Sequence, residues 1–192
     1  DFTNFEARNP VGSHRTTFTV PESFDGKETF ITFDGVDSAF YLWVNGEQVG
    51  YSQGSRTPAE FQISDYIQDG ENTLAVEVYR YCDGSYLEDQ DFWRLSGIFR
   101  DVYLSAQTKV GLRDIQIETL FEGDDFSQSM LQLTAWTKSF LAKKTNYGLT
   151  AQLFDANGSL VAAMEEEGID LNAGRQKMSV GGVSLENPQL WS

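Results

Sequence analysis

The stretch "FYLWVNGEQVGYS" runs from Phe40 to Ser52 and decides the fold class. Two short runs flank Asn45-Gly46, and both of these residues tolerate positive φ. A two-residue Asn-Gly loop has the twist that joins antiparallel neighbours, so the stretch reads as a β-hairpin. The same short alternation recurs on both sides of it. Thr16–Val20, Thr29–Phe33, Ala39–Val44, Thr73–Tyr81 and Ile98–Leu104 all read as strands. In the fourth, Leu74, Val76 and Val78 share one face at period two. In the fifth, Ile98, Val102 and Leu104 do so, with Arg100 the exception. Asp25-Gly26, Asp34-Gly35 and Asp69-Gly70 mark turns between them. No long segment has helical periodicity. Ser64–Gly70 is the one place where a helical turn is expected, capped by Ser64.

A boundary is expected near residues 105–109. Beyond it come Val110–Leu120, Ser129–Thr137, Tyr147–Asp155, Ser159–Glu165 and Gln176–Leu185, with a hairpin turn at Asp155-Ala156-Asn157-Gly158. Strands at this spacing predict an antiparallel sandwich of immunoglobulin-like size. The expected division is therefore 1–106 and 107–192. Charge separates the two blocks. The first carries 7 basic and 18 acidic residues, the second 7 and 11, so the acidic excess sits in the first.

Of the 192 residues, 40% are apolar and 14% aromatic, which suits packed cores and excludes a disordered chain. A net charge of −15 repels phosphate backbones and anionic lipid, so neither nucleic acid nor a membrane surface is an expected partner. No run approaches the ~20 apolar residues of a spanning helix, and Asp1–Pro10 has no signal-peptide character. Cys82 is the only cysteine, which rules out an internal disulfide and a cysteine metal cage. One cysteine leaves the compartment, cytoplasmic or periplasmic, undecided.

Little local chemistry is on offer. His14 is the only histidine, lies at a strand start and has no partner motif for a triad, so it reads as structural. Zinc sites need His and Cys clusters that this chain cannot supply. There is no phosphate loop and no G-x-S-x-G. The run "DGSYLEDQDFWRLSGIFRDV", Asp83 to Val102, is the exception. It sets Glu88, Asp89 and Asp91 against Phe92 and Trp93. Three readings are open: a solvated acidic loop, a local carboxylate pair (Glu88 with Asp91), or a half-site completed elsewhere. The pair is disfavoured, because one short segment has no second wall to enclose a sugar ring. Arg94 and Arg100 lie close enough in sequence to pair with these acids. Tyr41, Trp43, Trp93 and Trp136 could stack on sugars, but Trp43 and Trp136 lie within strands and are expected in the core.

"NPVGSHRTTFTVPESF", "ITFDGVDSAFYLWVNGEQVGYSQGSRTPAEFQIS", "GENTLAVEVYRYCDGSYLEDQDFWRLSGIFRDVYL" and the terminal "NPQLWS" together resemble the N-terminal, non-catalytic half of glycoside hydrolase family 2 β-galactosidases. The match runs in order through about the first 105 residues and is looser beyond. The resemblance implies an all-β chain: a jelly-roll-like, sugar-binding sandwich over 1–106 and an immunoglobulin-like sandwich over 107–192. It implies that a (β/α)₈ barrel follows in the complete enzyme and carries both catalytic glutamates, so no catalytic residue is expected here and the chain alone should be inactive. It places Asp91 among the residues that contact galactose and help bind a sodium ion. No cofactor is expected in this chain itself; sodium, and magnesium in the barrel, are expected of the complete enzyme. The implied partners are the barrel and a galactoside. The resemblance favours a galactosidase over the β-mannosidases and β-glucuronidases of the same family.

His14 departs from the aromatic usual at its position, without functional consequence. Strands that precede "NPVG" in the family, with a substrate-contacting asparagine, are absent from this sequence. So are strands that follow "NPQLWS". An exposed edge or apolar cleft is therefore expected in the second sandwich, and homo-oligomerisation through it. A free-standing carbohydrate-binding module is the alternative function, and a protein-binding pair of sandwiches a third.

Overall fold

The structure is a computed structural model that describes residues 9–88, 91, 93, 95–172 and 176–190, with the backbone alone at 176–180. It is built almost wholly of antiparallel strands and divides into two compact units, 1–107 and 108–192.

The first unit contains β1 (Val11–Thr19), β2 (Glu28–Phe33), β3 (Val36–Asp37), β4 (Ala39–Val44), β5 (Glu47–Gln53), β6 (Ala59–Gln62), β7 (Glu71–Tyr79), β8 (Gly97–Ile98) and β9 (Val102–Gln107), with one helical turn, α1 (Gly84–Leu87). Two sheets, β1-β7-β4-β5 and β6-β2-β9, enclose the core, and β3 and β8 form a short ladder beside them. The core draws Ile31 and Phe33 from β2, Phe40, Leu42 and Val44 from β4, and Leu74, Val76 and Val78 from β7. Each is at most 9% exposed, and burial of such a side chain contributes roughly 1.5–3 kcal/mol. The Leu74, Val76, Val78 face is thus the inward face, as the period-two reading requires.

The hairpin forms as read. Val44 pairs with Glu47, and Asn45 and Gly46 take φ of 52° and 86°, the geometry of a type I′ turn. Asn45 is also tied to the fold by its side chain, whose Nδ2 donates to the carbonyl of Tyr66 at 2.9 Å and to Oδ1 of Asn72 at 2.7 Å.

Two local expectations change. Ile98–Leu104 is not one strand. Ile98 pairs with Val36 in the β3-β8 ladder, whereas Val102 pairs with Phe33 in β2. Two residues on one side, Asp34 and Gly35, face three on the other, Phe99 to Asp101, so the ladder breaks at Arg100, the residue that violated the alternation. Ser64 does not cap a helix. Its Oγ accepts from the Thr29 N–H at 2.9 Å, and Ile63 N–H donates to the Thr29 carbonyl. Burial of Ile63 (0% exposed) thus keeps the segment against β2, and only a single turn, Tyr66 N–H to Ile63 carbonyl, follows.

The second unit contains β10 (Val110–Glu122), β11 (Gln128–Ser139), β12 (Thr145–Phe154), β13 (Leu160–Leu171) and β14 (Gln176–Glu186), arranged as sheets β10-β11-β14 and β12-β13. The Asp155–Gly158 turn closes as expected. Asp155 N–H donates to the Ser159 carbonyl, Gly158 N–H donates back to the Asp155 carbonyl, and Gly158 takes φ of 83°. The Tyr147 hydroxyl on β12 bonds Thr137 Oγ1 on β11, which joins the two sheets. The apolar interior is small, with Ala135, Ile169 and Leu171 buried, and a cavity of about 170 Å³ lies among Leu133, Leu149, Ala151 and Met164. Ile115, Ile117, Leu120 and Phe121 on β10 are exposed, and among the described residues β12 pairs with β13 alone.

Candidate functional site

The acidic run lies between β7 and β8, and the sandwich holds it at both ends. At its start, Asn9 and Tyr81 exchange two hydrogen bonds of 2.9 Å: Asn9 Nδ2 donates to the Tyr81 carbonyl and Tyr81 N–H donates to Asn9 Oδ1. Cys82 N–H then donates to Ser85 Oγ, and Asp83 Oδ1 accepts from Gly84 N–H at 2.8 Å, which starts α1. Glu88 N–H closes the turn on the Gly84 carbonyl. At its end, Gly97 and Ile98 pair with Asp37 and Val36. Gly97 takes φ of 118°, a region in which a side chain is strained.

Between these anchors Asp91 is exposed, and so is Trp93, at 83%. Glu88 is also exposed, on the same short segment. Asp89, Phe92 and Arg94 fall outside the described residues. Arg100, read as a partner for the loop acids, bonds main-chain carbonyls among the described residues. Its Nη1 donates to the carbonyls of Asp34 (3.3 Å) and Arg56 (3.2 Å), and its guanidinium covers the Phe99 ring at 5.3 Å. The arginine that reaches the segment is Arg56, which the sequence did not single out. Its Nη2 donates to the Trp93 carbonyl at 3.0 Å. A separation of 37 residues between them leaves no sequence signal for this bond.

Trp43 is not in the core. Because Phe40, Leu42 and Val44 take the inward positions of β4, Tyr41 and Trp43 point outward, half-buried by aromatic neighbours. Tyr41 lies 6.0 Å from Trp43, 4.8 Å from Tyr51 and 5.9 Å from Tyr79, ring centre to ring centre. Trp136 is likewise half-buried, next to the buried Ala135 on β11. An open cleft of about 880 Å³ is walled by Tyr41, Tyr51, Gln53, Tyr79, Tyr81 and Asp83. Its polar groups are hydroxyls, an amide, the Cys82 thiol and one carboxylate. The Tyr51 hydroxyl donates to Gln53 Oε1 at 2.7 Å, and the Tyr79 hydroxyl to Glu77 Oε2 at 3.1 Å. Burial, and then the neighbouring Cys82 and Asp83, push the Tyr51 phenol above its ordinary range; burial and Glu77 do the same to Tyr79. Both hydroxyls therefore remain neutral donors at physiological pH. His14 sits on β1 opposite Val76.

Outward aromatics of β4, β5 and β7 thus border the start of an acidic loop that is anchored at both ends. The model of the "Glycosyl hydrolases family 2, sugar binding domain" matches residues 1–108. The chain belongs to glycosyl hydrolase family 2. Relatives of this family 2 chain include a "Beta-galactosidase" of Priestia megaterium, 41% identical over 185 residues (96% of this chain, 18% of that protein), and one of Clostridium acetobutylicum, 49% identical over 158 residues (82% and 17%). The chain thus spans less than a fifth of the length of the curated relatives it matches. Among solved structures, a calcium binding mutant of Bacteroides uniformis beta-glucuronidase 2 superposes with a TM-score of 0.80 at 25% identity, covering 95% of this chain and 23% of that one.

A hard cation such as sodium or calcium takes several oxygen ligands, about 6–8 for calcium. Asp91 has the right donor chemistry, but no group of three or more His, Cys, Asp or Glu side chains converges among the described residues. The described side chains do not by themselves make up such a ligand set.

Proposed function

We propose that the chain is the N-terminal, non-catalytic part of a retaining β-galactosidase. Its two units, a jelly-roll-like sugar-binding sandwich and an immunoglobulin-like sandwich, brace a catalytic barrel, and the first lends Asp91 to the barrel's active site. Hydrolysis of terminal β-galactosides would then proceed by double displacement on two carboxyl groups of the barrel. The observation that carries this reading is the exposure of Asp91 on a segment anchored at both of its ends. A carboxylate presented in this way can accept hydrogen bonds from sugar hydroxyls, and each charge-assisted bond is worth roughly 1.5–3 kcal/mol. The identity of 41–49% to proteins named beta-galactosidase supports the substrate class. Sodium, with Asp91 as one of its ligands, and magnesium on the barrel belong to the same reading.

The test is Asp91→Asn in the full-length protein. This change keeps the shape and removes the charge, so kcat/KM for a galactoside should fall about 10- to 100-fold, the equivalent of one charge-assisted bond, with the melting temperature unchanged. An unaltered kcat/KM refutes the reading. The 192-residue chain alone should cleave no galactoside.

The outward row of Tyr41, Trp43, Tyr51 and Tyr79 favours a second reading, a carbohydrate-binding module, since stacked rings bordered by hydroxyls suit a saccharide face. Calorimetric titration of the chain alone separates the two. Sub-millimolar affinity for galactose or a galactoside that Tyr41→Ala abolishes would favour the module.

A further inference from the structure

The segment that carries Asp91 is tied to the body of the sandwich through Arg56, and the tie is built from several directions. Arg56 follows β5, in the turn closed by the Thr57 N–H to Gly54 carbonyl bond. Its Nη2 lies 3.8 Å from Oδ2 of Asp37, a carboxylate on β3 that is only 7% exposed and whose Oδ1 accepts from Ser55 Oγ at 3.2 Å. Its guanidinium lies 4.9 Å from the centre of the Phe99 ring. That ring is itself held. Arg100 stacks on it at 5.3 Å, and a Cβ added to Gly35 would come within 2.7 Å of its Cζ. Arg100 also donates to the carbonyl of Arg56, which fixes the backbone from which the side chain extends. Charge, ring face and backbone therefore orient the guanidinium, and Nη2 delivers its hydrogen bond to the Trp93 carbonyl. Trp93 is 83% exposed, so its ring adds little packing here, and the tie between Arg56 and this point of the segment is the hydrogen bond to its main chain.

We infer that Arg56 is the positioning residue for Asp91: from a cradle of Asp37, Phe99 and Arg100 it pins the main chain two residues beyond the carboxylate and sets where that carboxylate stands. The inference rests on the reading of Asp91 as a sugar-contacting group. Lysine cannot replace arginine here, because an ammonium has no planar face for Phe99 and cannot reach Asp37 and a carbonyl with one rigid fork.

The first readout is amide hydrogen exchange over residues 88–97 of the 192-residue chain. Arg56→Lys and Arg56→Gln should each speed exchange in this segment about 10-fold while β4 and β7 keep their protection, as loss of one charge-assisted bond requires. Phe99→Leu, which removes the ring face and leaves the donor, should give a smaller acceleration and guards against a misfolded Arg56 variant. The second readout is a kinetic cycle in the full-length protein. Arg56→Lys should raise KM for a galactoside more than it lowers kcat, and Arg56→Lys with Asp91→Asn should lose no more than Asp91→Asn alone. Unchanged exchange in both Arg56 variants overturns the inference. So do losses in the cycle that multiply, or an effect of Asp91→Asn with none of Arg56→Lys. If Asp91→Asn is itself silent, the reading of Asp91 fails and the positioning role falls with it, while accelerated exchange would leave Arg56 as a purely structural tie.

Discussion

Asn72 offers a direct measure of what holds the first unit together. It is fully buried, at 0% exposed, and all four hydrogen-bonding positions of its amide are used. Oδ1 accepts from Gln68 N–H (2.8 Å) and Asn45 Nδ2 (2.7 Å); Nδ2 donates to the carbonyls of Gln68 (2.9 Å) and Gly70 (3.1 Å). Asn45 extends the network, since its Oδ1 accepts from Thr73 N–H at 2.9 Å. The two asparagines therefore bind the β4-β5 turn to the connection before β7. Asn72→Leu keeps similar volume and deletes four bonds, each worth about 1 kcal/mol net. Gln68 and Gly70 lie in an exposed turn and regain water, which reduces the loss, whereas Asn45 keeps one unmatched donor direction. The expected destabilisation is about 2–4 kcal/mol, a large share of the stability of a domain this size. Urea unfolding should show a lower midpoint at unchanged slope. In a double-mutant cycle, Asn45→Ala and Asn72→Leu should couple by about 1 kcal/mol or more. A loss below about 0.5 kcal/mol, the range of ordinary surface substitutions, or strict additivity would refute the network argument.

Two further outcomes concern the second unit. Asp155 is held below the usual carboxylate range by Ser159 N–H, and Asp125 by Ser127 N–H and its hydroxyl. A depressed native pKa means that the unfolded chain takes up protons first, so this stabilisation is complete above the ordinary value of 3.8 and is lost as pH falls from there through the native values. Thermal melts between pH 5 and about 2 should therefore show a decline that Asp155→Asn makes shallower; an identical slope in the variant counts against the assignment. The β12 edge, unpaired among the described residues, and the exposed Ile115, Ile117 and Phe121 of β10 should drive self-association of the 192-residue chain, seen as a concentration-dependent rise in sedimentation coefficient. A sharp monomer at high concentration rules it out.

Local patterning alone determined the all-β class, most of the longer strands and the tight turns, but not the split of Ile98–Leu104 between two ladders. Period-two alternation follows from the pleat of a single strand, and Asn45-Gly46 or Asp155–Gly158 dictate a turn from their own φ preferences. The same alternation, followed strictly, would also have placed Tyr41 and Trp43 on the outward face of β4, since Phe40, Leu42 and Val44 occupy the other. The order of the motifs through the first 105 residues pointed to the family and singled out Asp91. What no local pattern could decide was set by contacts between distant residues: the break at Arg100, where two ladders with unequal connections meet; the saturation of Asn72; and the cradle in which Asp37, Phe99 and Arg100 aim Arg56 at the Trp93 carbonyl. A propensity belongs to a residue and its neighbours in the chain. A hydrogen bond across 37 residues exists only once the sheets have packed, so its partners carry no mark of it beforehand.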